Sequence, residues 1–246
     1  MNYEQTAKTE RDQRRLFVIF STHQGKMKKN LNIKNFKAVL FDMDGIVVDS
    51  MPYHFISWFE VLKRYGVRVS PMTIFEMEGA KWDAVIKLAY KQSGKKLAAG
   101  LTDKIRFERE TVFKKYFNRY IFDGICEFIR FLKKRGILAG LVTGSSLKEA
   151  KRFLPGTLYA LFDAVVAGDT VKRSKPYPDP YLTAASKLKV FPKECIAVEN
   201  APYGIKAAKA AKMRCFAVAT TLPKKKLSKA DMVFDSHKEL YSCFGK

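Results

Sequence analysis

The chain has 246 residues, 47% of them hydrophobic, enough for one large domain or a core domain with an insertion and too many for wholesale disorder. Its longest unbroken apolar runs, such as Leu16 to Phe20, fall far short of the roughly 18 residues that a membrane span needs, so a soluble, cytoplasmic protein with no membrane partner is expected. The formal net charge of +22 attracts polyanions, but the basic residues are spread along the chain without a helix-turn-helix, zinc-finger or RNA-binding signature, and no specific nucleic-acid partner is expected.

Residues 1–34 are polar, basic and without periodicity. They read as a poorly ordered N-terminal extension with no catalytic role, and Met27 offers an alternative start within it. The first strand is predicted at Ala38 to Phe41, a short apolar run of the kind buried in a parallel sheet. Similar runs recur at Ile137 to Val142, Phe162 to Ala167, Cys195 to Val198, Cys215 to Ala219 and, more weakly, Met232 to Phe234. Helical segments separate most of them. Asp123 is the expected N-cap of a helix whose Ile125, Phe128, Ile129 and Leu132 share a face and which Gly136 stops. Helices are also read at Asp179 to Leu188 and Tyr203 to Met213. Strands alternating with helices imply an α/β fold, a Rossmann-like doubly wound parallel sheet.

One interval breaks the rhythm. Between Ser50 and about Tyr120 there is helical periodicity only: a stripe of Phe55, Trp58, Phe59, Leu62 and Tyr65 stopped by Gly66, then helices from Lys81 to Gln92 and Leu101 to Tyr120. The expected organisation is therefore a core of residues 35–50 and 121–246 with an all-helical cap at 51–120, inserted over the strand ends where open α/β sheets bind ligands. Cys126, Cys195, Cys215 and Cys243, and the three histidines His23, His54 and His237, are scattered, unlike a zinc site or a disulfide framework.

Phe41-Asp42-Met43-Asp44-Gly45 sets two carboxylates, two positions apart, at the end of an apolar strand. Burying both side by side calls for a cation, although the same letters also suit a plain turn. Thr143-Gly144-Ser145-Ser146 follows the next strand, Ser174-Lys175-Pro176 lies in the loop between two later strands, and Glu199-Asn200-Ala201 follows another. Each alone is an ordinary turn or a lone lysine. In a doubly wound sheet all four reach one edge.

With these four segments in order, residues 36–240 resemble the haloacid dehalogenase superfamily, and within it the β-phosphoglucomutase-like phosphatases with a helical cap. The resemblance implies Asp42 as the nucleophile that forms an aspartyl-phosphate, and Asp44 as the acid and base, protonated at the first step while Asp42 is ionised. It implies Thr143, Gly144, Ser145 and Lys175 as phosphate-binding residues, and Mg2+ held by Asp42, Asp44, Glu199 and Asn200. Asn200 stands where many members have Asp, which removes one negative charge. In the cap, His54, Lys81 and Trp82 are candidate substrate contacts, and Glu78 to Trp82 is the expected specificity loop; His54 suits packing at the interface equally well, Trp82 suits packing of the cap core better, and a lone exposed lysine such as Lys81 is more often plain surface. Trp82 falls where sugar-phosphate mutases of this type carry an Arg for a second phosphate. The reading is a monomeric or weakly dimeric Mg2+-dependent phosphohydrolase of a small phosphate monoester, a sugar phosphate first. A sugar-phosphate mutase, and a nucleic-acid-binding protein on an inactive hydrolase scaffold, are the alternatives. A dehalogenase would lack Asp44.

Overall fold

The computed structural model describes residues 35–245, so the expectations for the extension at 1–34 lie outside the described residues. Six strands form one sheet: β1 (Ala38–Phe41), β2 (Leu138–Val142), β3 (Ala164–Val166), β4 (Cys195–Glu199), β5 (Arg214–Val218) and β6 (Met232–Phe234), in the order β3-β2-β1-β4-β5-β6. Every pairing is parallel. All six strands fall within the apolar runs read from the sequence, apart from single polar residues at two ends.

The chain moves outward from β1 to β3 on one side and from β4 to β6 on the other. The reversal between β1 and β4 opens a crevice at the carboxyl ends of two adjacent strands, the usual ligand position of such sheets. Asp42 leaves β1 there, its N–H donating to Val198 O at 2.9 Å.

Side chains alternate across the sheet, and the two faces are filled differently. Ala38 and Leu40 of β1 lie in a cluster with Ala184 and Ala185 of α8 (Asp179–Lys187) and Ala207 and Ala208 of α9 (Pro202–Ala210), where small residues bring helices close to the strands. Phe41 points the other way. It meets Phe128 of α5 (Ile125–Lys134) edge-on at 6.0 Å, and Phe128 in turn stacks on Tyr241 and meets Phe244 at the end of α10 (His237–Cys243). The expected N-cap of α5 moves by one residue: Gly124, at φ +76°, takes that place instead of Asp123. A Cβ at Gly124 would lie 3.1 Å from the Tyr241 ring.

Between β1 and β2 the helical insertion comprises α1 (Met51–Arg64), α2 (Pro71–Glu76), α3 (Trp82–Gln92) and α4 (Leu101–Tyr116). The sequence did not single out α2, whose six residues are too few to show a period; Ser70 caps it and Pro71 opens it. The buried stripe of α1 is also rotated from the expected one. Met51, His54, Ser57, Trp58, Val61 and Leu62 face inward, while Phe59 is 42% exposed. The insertion has its own apolar cluster, built on Trp58, Leu62, Ile74, Ile86 and Ile105. Its two connections to the sheet run side by side, with Asp49 N–H donating to Tyr120 O at 2.9 Å and Phe122 N–H to Val47 O at 3.1 Å. Among the described residues no helix is long and apolar enough to cross a membrane, and the four cysteines are free.

Phe128 joins the sheet to both α5 and α10. Phe128→Ala is expected to cost about 3–5 kcal/mol through lost burial and a residual cavity, read from the shift in urea midpoint at unchanged slope.

Candidate active site

All four sequence segments meet at the carboxyl edge of the sheet. Asp42, Asp44, Thr143, Lys175, Glu199 and Asn200 are all buried there. Lys175, from the loop after β3, reaches between two strand ends. Its Nζ lies 2.6 Å from Asp42 Oδ1 and 2.7 Å from Glu199 Oε1, and donates to Val142 O at 3.3 Å. Burial favours the neutral amine, but the two carboxylates outweigh it and raise the ammonium's pKa. Tyr181 of α8 donates to the same Glu199 oxygen at 2.5 Å, and the Asn200 N–H to Oε2 at 3.3 Å. Gly204 permits this packing: a Cβ there would lie 2.0 Å from the Glu199 carboxyl carbon.

Asp44 sits in a separate set of donors. Ser50 Oγ donates to its Oδ1 at 2.5 Å, His54 Nε2 lies 3.1 Å from the same oxygen, and Ser145 Oγ and Thr143 Oγ1 reach Oδ2 at 3.3 and 3.4 Å. Thr143 Oγ1 also accepts from the Ser145 N–H at 3.0 Å. The next helix, α6 (Leu147–Phe153), opens with a capping box between Ser146 and Glu149, which occupies the Ser146 hydroxyl.

The two carboxylates titrate in opposite directions. Burial, then the Glu199 charge, pushes Asp42 up to about 8 despite Lys175. Burial also acts to raise Asp44, but hydrogen bonds and charge from His54, with Ser50 and Ser145, hold it below the ordinary carboxylate value. This is the reverse of the division expected for the first step, in which Asp42 is ionised and Asp44 protonated. A cation at Asp42 would lower its pKa and an anionic phosphoryl group beside Asp44 would raise that one, so both would act against the order seen here.

Residues that the sequence reading missed organise this end of the site. Arg109 of α4 donates from Nη2 to His54 Nδ1, leaving Nε2–H to face Asp44; its guanidinium also lies over the Trp58 and Phe113 rings at 5.3 and 4.8 Å. Burial and the Arg109 charge lower the His54 pKa, which fits a neutral ring with that tautomer. Nothing in the spacing of Arg109 distinguishes it from the other basic residues of α4. His237 was likewise unassigned. Its Nε2 donates to Ile46 O at 2.8 Å and its ring stacks on Phe122, fixing the turn that follows Asp44.

The insertion meets the site through the loop before α3. A Cβ on Gly79, at φ +81°, would lie 2.6 Å from Lys175 Cδ, and one on Gly144 would lie 3.1 Å from Gly79 Cα. Only glycine allows the two segments to approach this closely. Between them lies a cavity of about 130 Å³ lined by His54, Glu78, Trp82, Arg109, Ser145 and Glu149, among others. Trp82 thus faces the cavity while also packing on the insertion's core. Lys81 does not reach it. Lys81 lines instead a wider groove of about 870 Å³ outside, because it caps α3 and points to solvent.

Among the described residues no three His, Cys, Asp or Glu side chains form a ready metal-ligand group. A mixed oxygen set is nonetheless available. Asp42 Oδ2 and Asn200 Oδ1 are buried without a hydrogen-bond partner, whereas both Glu199 oxygens are engaged. Unsatisfied buried oxygens are costly, and oxygen donors suit a hard cation.

The sequence profile of the haloacid dehalogenase-like hydrolases matches residues 39–218, which is most of the chain. The chain belongs to that family. It is 31% identical to hexitol phosphatase B of Escherichia coli over 192 residues, covering 74% of this chain and 82% of the relative. It is 32% identical to fructose-1-phosphate phosphatase of the same organism over 184 residues, covering 73% and 95%. A solved structure of a candidate β-phosphoglucomutase from Bacteroides vulgatus superposes with a TM-score of 0.76 at 31% identity, covering 85% of this chain and 88% of the other. The haloacid dehalogenase-like chain described here thus sits among the β-phosphoglucomutase-like phosphatases, as its motifs implied.

Because burial lowers the His237 pKa from 6.5, the unfolded chain binds the proton more tightly. The stability that His237 contributes is present above pH 6.5 and is lost as the pH falls through its folded value. His237→Gln is expected to flatten the loss of urea stability between about pH 7.5 and 5.5 relative to wild type, the difference between the two curves being the measurement.

Proposed function

We propose that this protein is a Mg2+-dependent phosphohydrolase of small phosphorylated sugars or polyols, working through an aspartyl-phosphate on Asp42. The observation that carries the reading is the convergence of Asp42, Asp44, Thr143, Lys175 and Asn200 at one buried strand edge, each from a different motif except the aspartate pair. The relatives' names support the substrate class: a hexitol phosphatase, a fructose-1-phosphate phosphatase, and a phosphorylated-carbohydrate phosphatase from Thermotoga maritima.

The family resemblance implies Mg2+, and the open buried oxygens of Asp42 and Asn200 suit such a hard cation. Asp42 Oδ2, Asn200 Oδ1 and the Asp44 backbone carbonyl are the groups that would hold it, with Glu199 adding negative charge beside them. When bound, Mg2+ keeps Asp42 ionised and shields it from the phosphoryl charge.

Asp42 attacks phosphorus in line as the bond to the leaving oxygen breaks. Asp44 gives a proton to that oxygen and later takes one from the water that cleaves the acyl phosphate. Ser50 and His54 hold Asp44 in place for both transfers. Thr143, Ser145 and Lys175 donate to the phosphoryl oxygens, and the Lys175 ammonium stabilises charge that develops in the transition state. The loop at Gly79 excludes bulk water when it rests on Gly144 and Lys175.

Phosphate release from fructose 1-phosphate and sorbitol 6-phosphate is expected with Mg2+ and not after chelation. Asp42→Asn should lower it by at least about a thousandfold, and Asp44→Asn by about a hundredfold or more, in proteins whose thermal unfolding stays cooperative. Activity retained in Asp42→Asn would refute the covalent mechanism. An isomerised phosphorylated product without free phosphate would identify a mutase instead.

A further inference from the structure

The candidate site is shut off from solvent. Asp42, Asp44, Thr143, Lys175 and Asn200 are each no more than 2% exposed, and Gly79 rests on Lys175 and Gly144. The inner cavity beside them holds about 130 Å³, below the roughly 300–1,000 Å³ of most small-molecule sites. A sugar phosphate therefore reaches Asp42 only after the insertion has moved, and it leaves the same way. The contacts that hold the insertion in place set how often that happens. On one flank, beside the connection at Tyr120, Phe113 and Phe117 pack on Phe153 of α6 with ring centroids 5.3 and 4.5 Å apart, and Arg119 Nη2 donates to Arg152 O at 2.8 Å. Apolar contact is non-directional, so these rings can turn on one another without being parted.

On the other flank the end of α2 meets the loop between β5 and β6. Phe75 packs on both the insertion's own cluster and the cluster beneath the sheet, and Tyr203 of α9 packs on the former. Beside them Lys226 Nζ lies 2.7 Å from Glu76 Oε1. That oxygen is buried and has no other polar partner among the described residues. Unlike the rings, a charge pair loses most of its attraction once water separates its members. Lys226 is presented from a fixed base. Leu222 and Leu227 are buried in the core cluster, and Lys224 Nζ lies 2.6 Å from Asp235, just after β6. The same loop touches the site at its start, where Thr220 Oγ1 donates to Gly45 O at 2.8 Å and Thr221 Oγ1 lies 3.4 Å from the Asn200 amide nitrogen. Glu76 is the last residue of α2, just ahead of the segment in which Gly79 covers Lys175.

We infer that the Glu76–Lys226 ion pair is the latch of the insertion: it breaks each time a ligand enters or leaves, while the contact of Phe113 and Phe117 with Phe153 serves as the pivot. The inference rests on the phosphatase reading only for the ligand admitted, a small phosphate ester. The pair is made in the empty closed protein and again in the closed complex. An interaction equal in two states shifts no equilibrium between them, so the latch sets the rates of entry and exit together and leaves affinity unchanged. That signature separates it from a residue that binds the ligand, whose loss weakens affinity.

The test uses the full chain, with orthovanadate and Mg2+ as the binding probe and amide hydrogen exchange over residues 71–80 as the measure of opening in the empty protein. Lys226→Glu sets two carboxylates face to face. It is expected to speed that exchange, and both the association and the dissociation of vanadate, by at least about threefold, with Kd within about twofold of wild type. Glu76→Lys should do the same, and the two substitutions together, which rebuild the pair with its charges exchanged, should restore all three rates. Lys225→Glu makes the same charge change one residue away and should leave exchange and dissociation as they are. The side chains of Lys226 and Glu76 are 48% and 34% exposed, so reversing either charge leaves the core intact, as cooperative thermal unfolding will verify. Exchange like that of wild type in both single variants would overturn the latch. So would a failure of the exchanged pair to restore the rates, or a Kd that shifts with association alone. If wild type binds no vanadate and cleaves no ester, the phosphatase reading falls and the exchange rates decide the latch by themselves.

Discussion

The buried ammonium of Lys175 is the contact around which the rest of the site is arranged. Asp42 and Glu199 end adjacent strands of a parallel sheet, and their carboxylates are taken out of water in the same crevice. Two such charges repel strongly at low dielectric, and each carries a desolvation cost of its own. Lys175 answers both with one side chain, at 2.6 and 2.7 Å. The arrangement also leaves a defined deficit. Asp42 keeps one oxygen without a partner, Asn200 keeps its amide oxygen, and Asp42 remains raised to about 8. A site of this kind is incomplete as an electrostatic system, and a hard cation at the free oxygens would complete it.

This also gives Asn200 a clearer place than the sequence could. Replacing a carboxylate by an amide in a metal site reads, from letters alone, as a weakened ligand. In the folded chain it is Glu199 whose oxygens are consumed, by Lys175, Tyr181 and a backbone N–H, while the Asn200 oxygen stays open. Asn200 also presents an NH2 group 3.4 Å from Thr221 Oγ1. The amide can accept on one side and donate on the other, a pair of roles closed to an ionised Asp.

The fold was legible because its information is periodic and local. Apolar runs mark strands that are covered on both faces, and Asp42, Thr143 and Glu199 were placed on one edge by their positions at strand ends alone. Periodicity loses its power where geometry decides by a fraction of a turn. In α1 the stripe through Phe55 and Phe59 looked as good as the one through His54, Ser57 and Val61, because an amphipathic helix with aromatic residues on both sides has two plausible faces. Gly124 takes the α5 cap in place of Asp123 at a positive φ, where a Cβ would lie 3.1 Å from the ring of Tyr241, more than a hundred residues away. Arg109 was unreadable for a related reason: its significance lies in what it faces, and the sequence of α4 offers several basic residues of equal standing.

Long-range and short-range electrostatics pull this protein in different directions. A net charge of +22 draws anions toward its surface, and among them it would draw those with two charged ends more strongly than those with one. Such a field alone would favour bisphosphates. Around the inner cavity the groups are close together and of both signs, with Arg109 beside Glu110 and Glu149 and with the Glu78 carboxyl raised by its burial. The first field acts over about a Debye length, some 8–10 Å at ordinary ionic strength, and governs encounter; the second acts at contact, where screening is weak, and governs what fits. A chain can therefore be strongly basic in composition and still meet a ligand at close range with groups of both signs. For the same reason, net charge was a poor guide to the site, whereas the close approach of Gly79 to Lys175 is a direct one.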